Sequence, residues 1–149
     1  MWSKTCKTLL VSASIFLSAG VALAHHHELN GTWQLVPSRS QLNGEPAIQS
    51  GTVTINDREG NIYVDRSFNL EEGNRSVTSS FSTDARAKAS IKQPGFKSKA
   101  KWDGNVLKVV TTNDGMTTVE RYTLAADGGM MLQVDRSGRP SEAFYFQRQ

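Results

Sequence analysis

The residues able to do chemistry are few and unevenly placed. The chain carries one cysteine, Cys6, and three histidines in a row, His25, His26 and His27. A histidine third behind a free amine, with two deprotonated amides between them, can close a square plane around Cu(II) or Ni(II). That arrangement requires cleavage after Ala24, so His25-His26-His27 is a conditional metal site and otherwise a polar, disordered tail over 25–30. A Ser-His-Asp or Cys-His arrangement would have to recruit this terminus, because the sequence holds no other histidine or cysteine. Carboxylate neighbours such as Glu71-Glu72 fall in turns, at no spacing that points to a hydrolase. A non-catalytic protein without a resident cofactor is expected.

Two other groups of charges stand out. Arg66, Glu120 and Arg136 fall on the apolar phase of alternating segments, and an unpaired buried charge costs several kcal/mol. Each must be paired, lie at a strand end, or contact the acidic head of an amphipathic ligand. With Phe68, Phe81, Trp102 and Tyr122 on the same phase, they form the candidate ligand-binding set. The second group is Arg86, Lys88, Lys92, Lys97, Lys99 and Lys101, six cations on one face of segment 85–102 with no acid among them. Such a face is either solvated or docks on an anionic lipid or polyanion. Aromatics do not alternate with these lysines on the exposed face, so nucleic acid is not an expected partner.

What must position these residues is read from the alternation. The chain opens with Lys4 and Lys7, an apolar run from Leu9 to Ala24, and a closing Ala22-Leu23-Ala24. This is the pattern of a cleaved signal peptide over 1–24. The run of about 16 residues is short for a membrane span of roughly 20. An exported protein, periplasmic or extracellular, is expected, with no transmembrane segment after cleavage. Two of the 17 basic residues lie in this leader, which leaves 15 against 14 acids, so global charge names no partner. Stability then rests on an ordinary core with no disulfide.

Beyond the leader, runs of seven or eight residues alternate with period two and stop at turns such as Glu59-Gly60-Asn61, Asp103-Gly104-Asn105 and Asp114-Gly115. Strands are predicted at 31–36, 51–57, 61–68, 75–82, 85–92, 96–102, 105–112, 117–124, 130–136 and 143–148. The segment 85–92 is the weakest of them. Short turns join the strands, so the chain reads as a single all-β antiparallel up-and-down meander of eight to ten strands over 31–149. Closing it into a barrel removes its edges. The expected lining is Trp33, Leu35, Val53, Ile55, Ile62, Val64, Phe68, Val77, Phe81, Phe96, Trp102, Tyr122, Leu124, Leu132, Val134, Phe144 and Phe146. A filled core and a hollow one show the same period. The one long connection, 37–50, is a surface loop or a flap over one barrel end.

The first strand reads Gly31-Thr32-Trp33-Gln34-Leu35-Val36 and the chain closes Phe144-Tyr145-Phe146-Gln147-Arg148. This pairing resembles the calycin superfamily of lipocalins, fatty-acid-binding proteins and avidins. Segments Gly31 to Ser40, Trp102-Asp103-Gly104 and Glu120-Arg121-Tyr122 are also similar to exported bacterial lipocalin-like proteins. The resemblance implies a calycin-like barrel opened by Gly31 and Trp33, with Arg148 lying across the indole, and a small apolar or amphipathic ligand inside. Two family features are missing. Segment 37–50 is too short for the helical pair of fatty-acid-binding proteins, and Tyr145 and Arg148 stand three apart where those proteins carry Arg-x-Tyr.

Overall fold

The computed structural model describes residues 26–43, 47–58, 61–71, 76–82 and 96–149. A 3-10 helix η1 (His26–Leu29) precedes β1 (Gly31–Leu35), and a second, η2 (Pro37–Arg39), follows it. The remaining strands are β2 (Ile48–Arg58), β3 (Asn61–Leu70), β4 (Ser76–Ser82), β5 (Phe96–Asp103), β6 (Val106–Asn113), β7 (Met116–Leu124), β8 (Met130–Arg136) and β9 (Glu142–Arg148). Inward residues alternate with half-exposed ones along them, most regularly on β2 and β8, as a pleated strand with one buried face demands. Turn chemistry matches at Asp114-Gly115, where φ is +47° and +80°, the double positive that a two-residue hairpin needs.

All nine strands form one antiparallel sheet in the order β4-β3-β2-β1-β9-β8-β7-β6-β5. The first and last strands therefore pair with each other in mid-sheet, with Trp33 opposite Arg148 and Leu35 opposite Phe146. The sheet is strongly curled. β5 and β2 lie six strands apart in its order, about 29 Å if it were flat. Yet Trp102 Nε1 on β5 donates to Asp57 Oδ2 on β2 at 2.9 Å. The chain is thus an up-and-down meander curled into a calycin-like barrel.

The core fills the concave face. Trp33, Val53, Val64, Leu107, Tyr122, Met130 and Phe146 have no measurable exposure. Leu124, expected inside, is 37% exposed at the end of β7. Leu29, Leu107, Val109 and Met130 join the core beyond the expected lining. Segment 85–92, with Arg86, Lys88 and Lys92, lies outside the described residues, as do the signal-peptide region and His25. The side chains of Val77, Phe81, Phe96, Lys97, His26 and His27 are likewise not described.

Two connections differ from expectation. β2 starts at Ile48 rather than 51, with a register shift between Ile48 and Ser50, the mark of a bulge that re-aims the strand end. Much of segment 37–50 is neither free loop nor flap, because it follows β9. Val36 N–H donates to Tyr145 O at 2.8 Å, and Gln41 exchanges two backbone hydrogen bonds with Ala143. The tail expected to be disordered is also tied down. Leu29 is 2% exposed, its carbonyl accepts from Trp33 Nε1 at 2.9 Å, and Asn30 Oδ1 accepts from Asp57 N–H at 2.7 Å. Burying one leucine side chain contributes roughly 1.5–3 kcal/mol, enough to hold a short segment.

Candidate functional site

The antiparallel register fixes two barrel ends. η1 sits at the end where β1 begins and β9 finishes, beside Trp33 and Arg148. There Arg148 lies over the Trp33 indole with its guanidinium carbon 4.2 Å from the ring centre. Its Nη1 donates to Asn30 O at 2.6 Å and its Nη2 to Glu28 O. Gly31 has φ of +130°, and a Cβ there would stand 2.6 Å from Arg148 Nη1. Only glycine accepts both conditions. Gly31, Trp33 and Arg148 therefore form one closure device, which also caps this barrel end with η1.

The polar chemistry lies at mid-strand. Arg66 on β3 faces inward in register with Val53. Glu120 and Tyr122 on β7 face inward in register with Val134 and Leu132. The curl brings them together. Arg66 Nη1 pairs with Glu120 Oε1, with side-chain exposures of 15% and 11%. Tyr122 OH donates to Glu120 Oε2 at 3.3 Å and accepts from Arg66 Nη1 at 3.4 Å. Burial pushes the Tyr122 phenol well above its ordinary range, with Arg66 pulling against it. Desolvation works against the Arg66 cation, but Tyr122 and Glu120 outweigh it and hold the guanidinium charged. Among the described residues, Arg66 Nε is the buried side-chain atom left without a hydrogen-bond partner.

Apolar groups adjoin this triad. Phe68, two residues along β3 on the same face, stands 5.8 Å from Phe144 between ring centres. Phe68 also leans over Gly51, where a Cβ would meet its ring at 2.3 Å. Leu42, Ile48 and Phe68 pack on the core yet remain partly exposed, forming an apolar rim. Glu142, 4% exposed, pairs with Arg136, whose side chain is 40% exposed.

The candidate set thus divides. Arg66, Glu120 and Tyr122 meet, with Phe68 beside them. Arg136 is paired at a strand end near water, so it is no free anion contact. Trp102 belongs to the η1 end, where it lines a cleft of about 240 Å³ with Glu28, Leu29, Asn105, Val106, Thr123 and Leu124. Phe81 stands opposite Val64 in the backbone register.

A further cluster escaped sequence reasoning. Tyr145 points to the convex face yet is 3% exposed. Arg39 lies over its ring at 3.5 Å, its OH donates to Asp127 Oδ2 at 2.8 Å, and its N–H donates to Ser40 Oγ. Arg39 also pairs with Asp127 at 2.8 Å. Hydrogen bonds from Arg39, Tyr145 and the Gly129 amide hold the Asp127 carboxyl down at about 2. This latch pins η2 to β9.

On the convex face Lys99 and Lys101 are exposed. Lys101 stands opposite Lys108, and Lys108 opposite Arg121. Arg121 pairs with Asp135. Among the described residues no group of three His, Cys, Asp or Glu side chains could hold a metal, and no helix is long and apolar enough to cross a membrane.

No protein-family model matches the sequence, and no curated protein matches it. Solved structures do match. The fluorescent protein UnaG superposes with a TM-score of 0.61 at 20% identity, over 83% of this chain and 98% of its own. A fatty acid binding protein of Schistosoma mansoni, in complex with arachidonic acid, gives 0.53 at 13% identity over 82% and 96%. The fatty-acid-binding protein isolated from Manduca sexta gives 0.53 at 15% identity over 80% and 98%. At these identities the likeness establishes the fold, that of the calycin barrels.

Proposed function

We propose that this calycin-type barrel is a non-catalytic binding protein that takes a small apolar or amphipathic molecule at the end remote from η1. The observation that carries the reading is the Arg66–Glu120–Tyr122 triad, a buried cation and carboxylate joined by a phenol inside a mainly apolar core. A buried ion pair adds little to stability, since apolar residues of similar volume usually serve as well or better. Phe68 lies two residues from Arg66 on the same face of β3 and near Phe144, and the rim of Leu42, Ile48 and Phe68 offers apolar surface for a ligand body. Pockets of this kind are mostly apolar with a few convergent polar groups that set orientation. The fatty-acid-binding proteins of the same fold add weight to an apolar ligand. Export after cleavage at Ala24 is part of the proposal and rests on the sequence pattern alone.

The test is mass spectrometry of the purified protein under native and denaturing conditions, followed by titration with a neutral, environment-sensitive apolar fluorophore. A co-purifying small molecule, or saturable fluorophore binding weakened by Phe68→Ala, supports the reading. Absence of both a released molecule and saturable binding overturns it.

A second reading is favoured by the convex face, where Lys101, Lys108 and Arg121 stand side by side across three strands. Like charges directly opposite destabilise a sheet, and an anionic lipid surface would relieve them. Co-sedimentation with phosphatidylglycerol vesicles, lost in moderate salt and in a Lys99→Glu, Lys101→Glu variant, is the expected result. Salt-independent or absent co-sedimentation rejects it.

A further inference from the structure

We propose that the barrel selects an uncharged ligand bearing an oxygen acceptor (an ester, ketone, amide or alcohol) over a free carboxylic acid, and that Glu120 sets this preference. This rests on the interior-binding reading above and names its ligand class.

The argument follows from how the triad spends its polar groups. A lone buried guanidinium is a carboxylate receptor. Arg66 is not lone, because Glu120 Oε1 already neutralises it. The second carboxylate oxygen of Glu120 takes the Tyr122 hydroxyl proton. That hydroxyl in turn accepts from Arg66 Nη1. Arg66 Nε–H is the buried donor left over, and an unsatisfied buried donor is costly. A ligand oxygen placed on it recovers that cost.

The charge of that oxygen decides the matter. The triad is neutral, one cation against one carboxylate, with Tyr122 protonated. A ligand carboxylate would bring a second anion to the same guanidinium. Two carboxylates sharing one site cannot both ionise cheaply, and one is forced to take a proton. No other cation among the described residues is available to compensate: Arg136 is committed to Glu142 and lies partly in water. A carbonyl or hydroxyl oxygen accepts from Nε–H without that conflict. The alkyl or aryl body of such a ligand would then lie against Phe68 and Phe144.

The experiment compares methyl decanoate, 1-decanol and decanoate on the full-length mature protein, by displacement of a neutral apolar fluorophore. Near neutral pH the ester and the alcohol should compete at least about tenfold better than the acid, the effect expected of a hydrogen bond kept against a charge conflict added. Lowering the pH to about 4, where decanoic acid is largely protonated, should bring its affinity close to that of the ester. Glu120→Gln should reverse the order at neutral pH by releasing the charge on Arg66. The comparison on unmodified protein needs no variant, so loss of folding in Glu120→Gln leaves it intact. Decanoate competing as well as or better than methyl decanoate near neutral pH overturns the inference while the binding reading stands. If the fluorophore itself does not bind, the binding reading fails, and this one with it.

Discussion

Three glycines show how single positions govern this barrel. Gly31→Ala would strain a φ of +130° and push Arg148 Nη1 from 2.6 Å away. A loss of about 2–4 kcal/mol is expected in urea unfolding. Gly129 is subject to a similar demand, since a Cβ would reach the Tyr145 hydroxyl at 2.1 Å. Gly51 differs, because its neighbour is the Phe68 ring beside the candidate site. Gly51→Ala should displace that ring and weaken fluorophore binding, at a stability cost of about 1–3 kcal/mol. Unchanged affinity in Gly51→Ala would remove Phe68 from the site. Arg66 and Glu120 are legible in sequence as inward charges, but not as partners. They are 54 residues apart, and only the curl of the sheet brings β3 and β7 face to face. Alternation specifies the side of a strand, not the residue across the barrel.

At the level of elements, most strands are legible because each pairs a period-two run with a glycine turn. The misses have physical causes. Tyr145 alternates outward, and an outward aromatic reads as exposed until η2 and the 127–129 turn are seen to cover it. Ile48 was hidden in a polar loop, because the bulge between Ile48 and Ser50 breaks the period. η1 is too short to show a pattern, yet Trp33, Arg148 and Asp57 hold it. Arg148→Ala should therefore cost about 2–3 kcal/mol and speed hydrogen exchange at Glu28–Asn30. Exchange unchanged there would show that η1 is held without Arg148. The η2 latch carries a pH dependence. Asp127 is held at about 2 when folded, against 3.8 for a free side chain. Its contribution is present above about pH 4 and fades as pH falls toward 2. Protection of the Ser40 and Gln41 amides, measured relative to their intrinsic exchange rates, should fall across that window and lose this step in Asp127→Asn.

For the whole molecule, the closure device of Gly31, Trp33 and Arg148 and the apolar rim of Leu42 and Ile48 lie at different strand ends, so the proposed binding can be tested apart from folding. A ligand confined to the folded state raises stability by about 2.7 kcal/mol at a hundredfold excess over Kd. Thermal unfolding with and without methyl decanoate should show that gain, and Phe68→Ala should reduce it while retaining a cooperative transition. An unfolding temperature indifferent to every apolar probe would speak against an interior ligand.

Because β1 begins and β9 finishes at one pole of the barrel, beside Gly31 and Arg148, a tether attached just beyond Arg148 departs from the pole opposite Ile48 and Leu70, where β2 begins and β3 ends. Grafting the protein to a bead, a sensor surface or a fusion partner through its carboxyl end would leave the rim of Leu42 and Ile48, where the ligand is proposed to enter, facing outward.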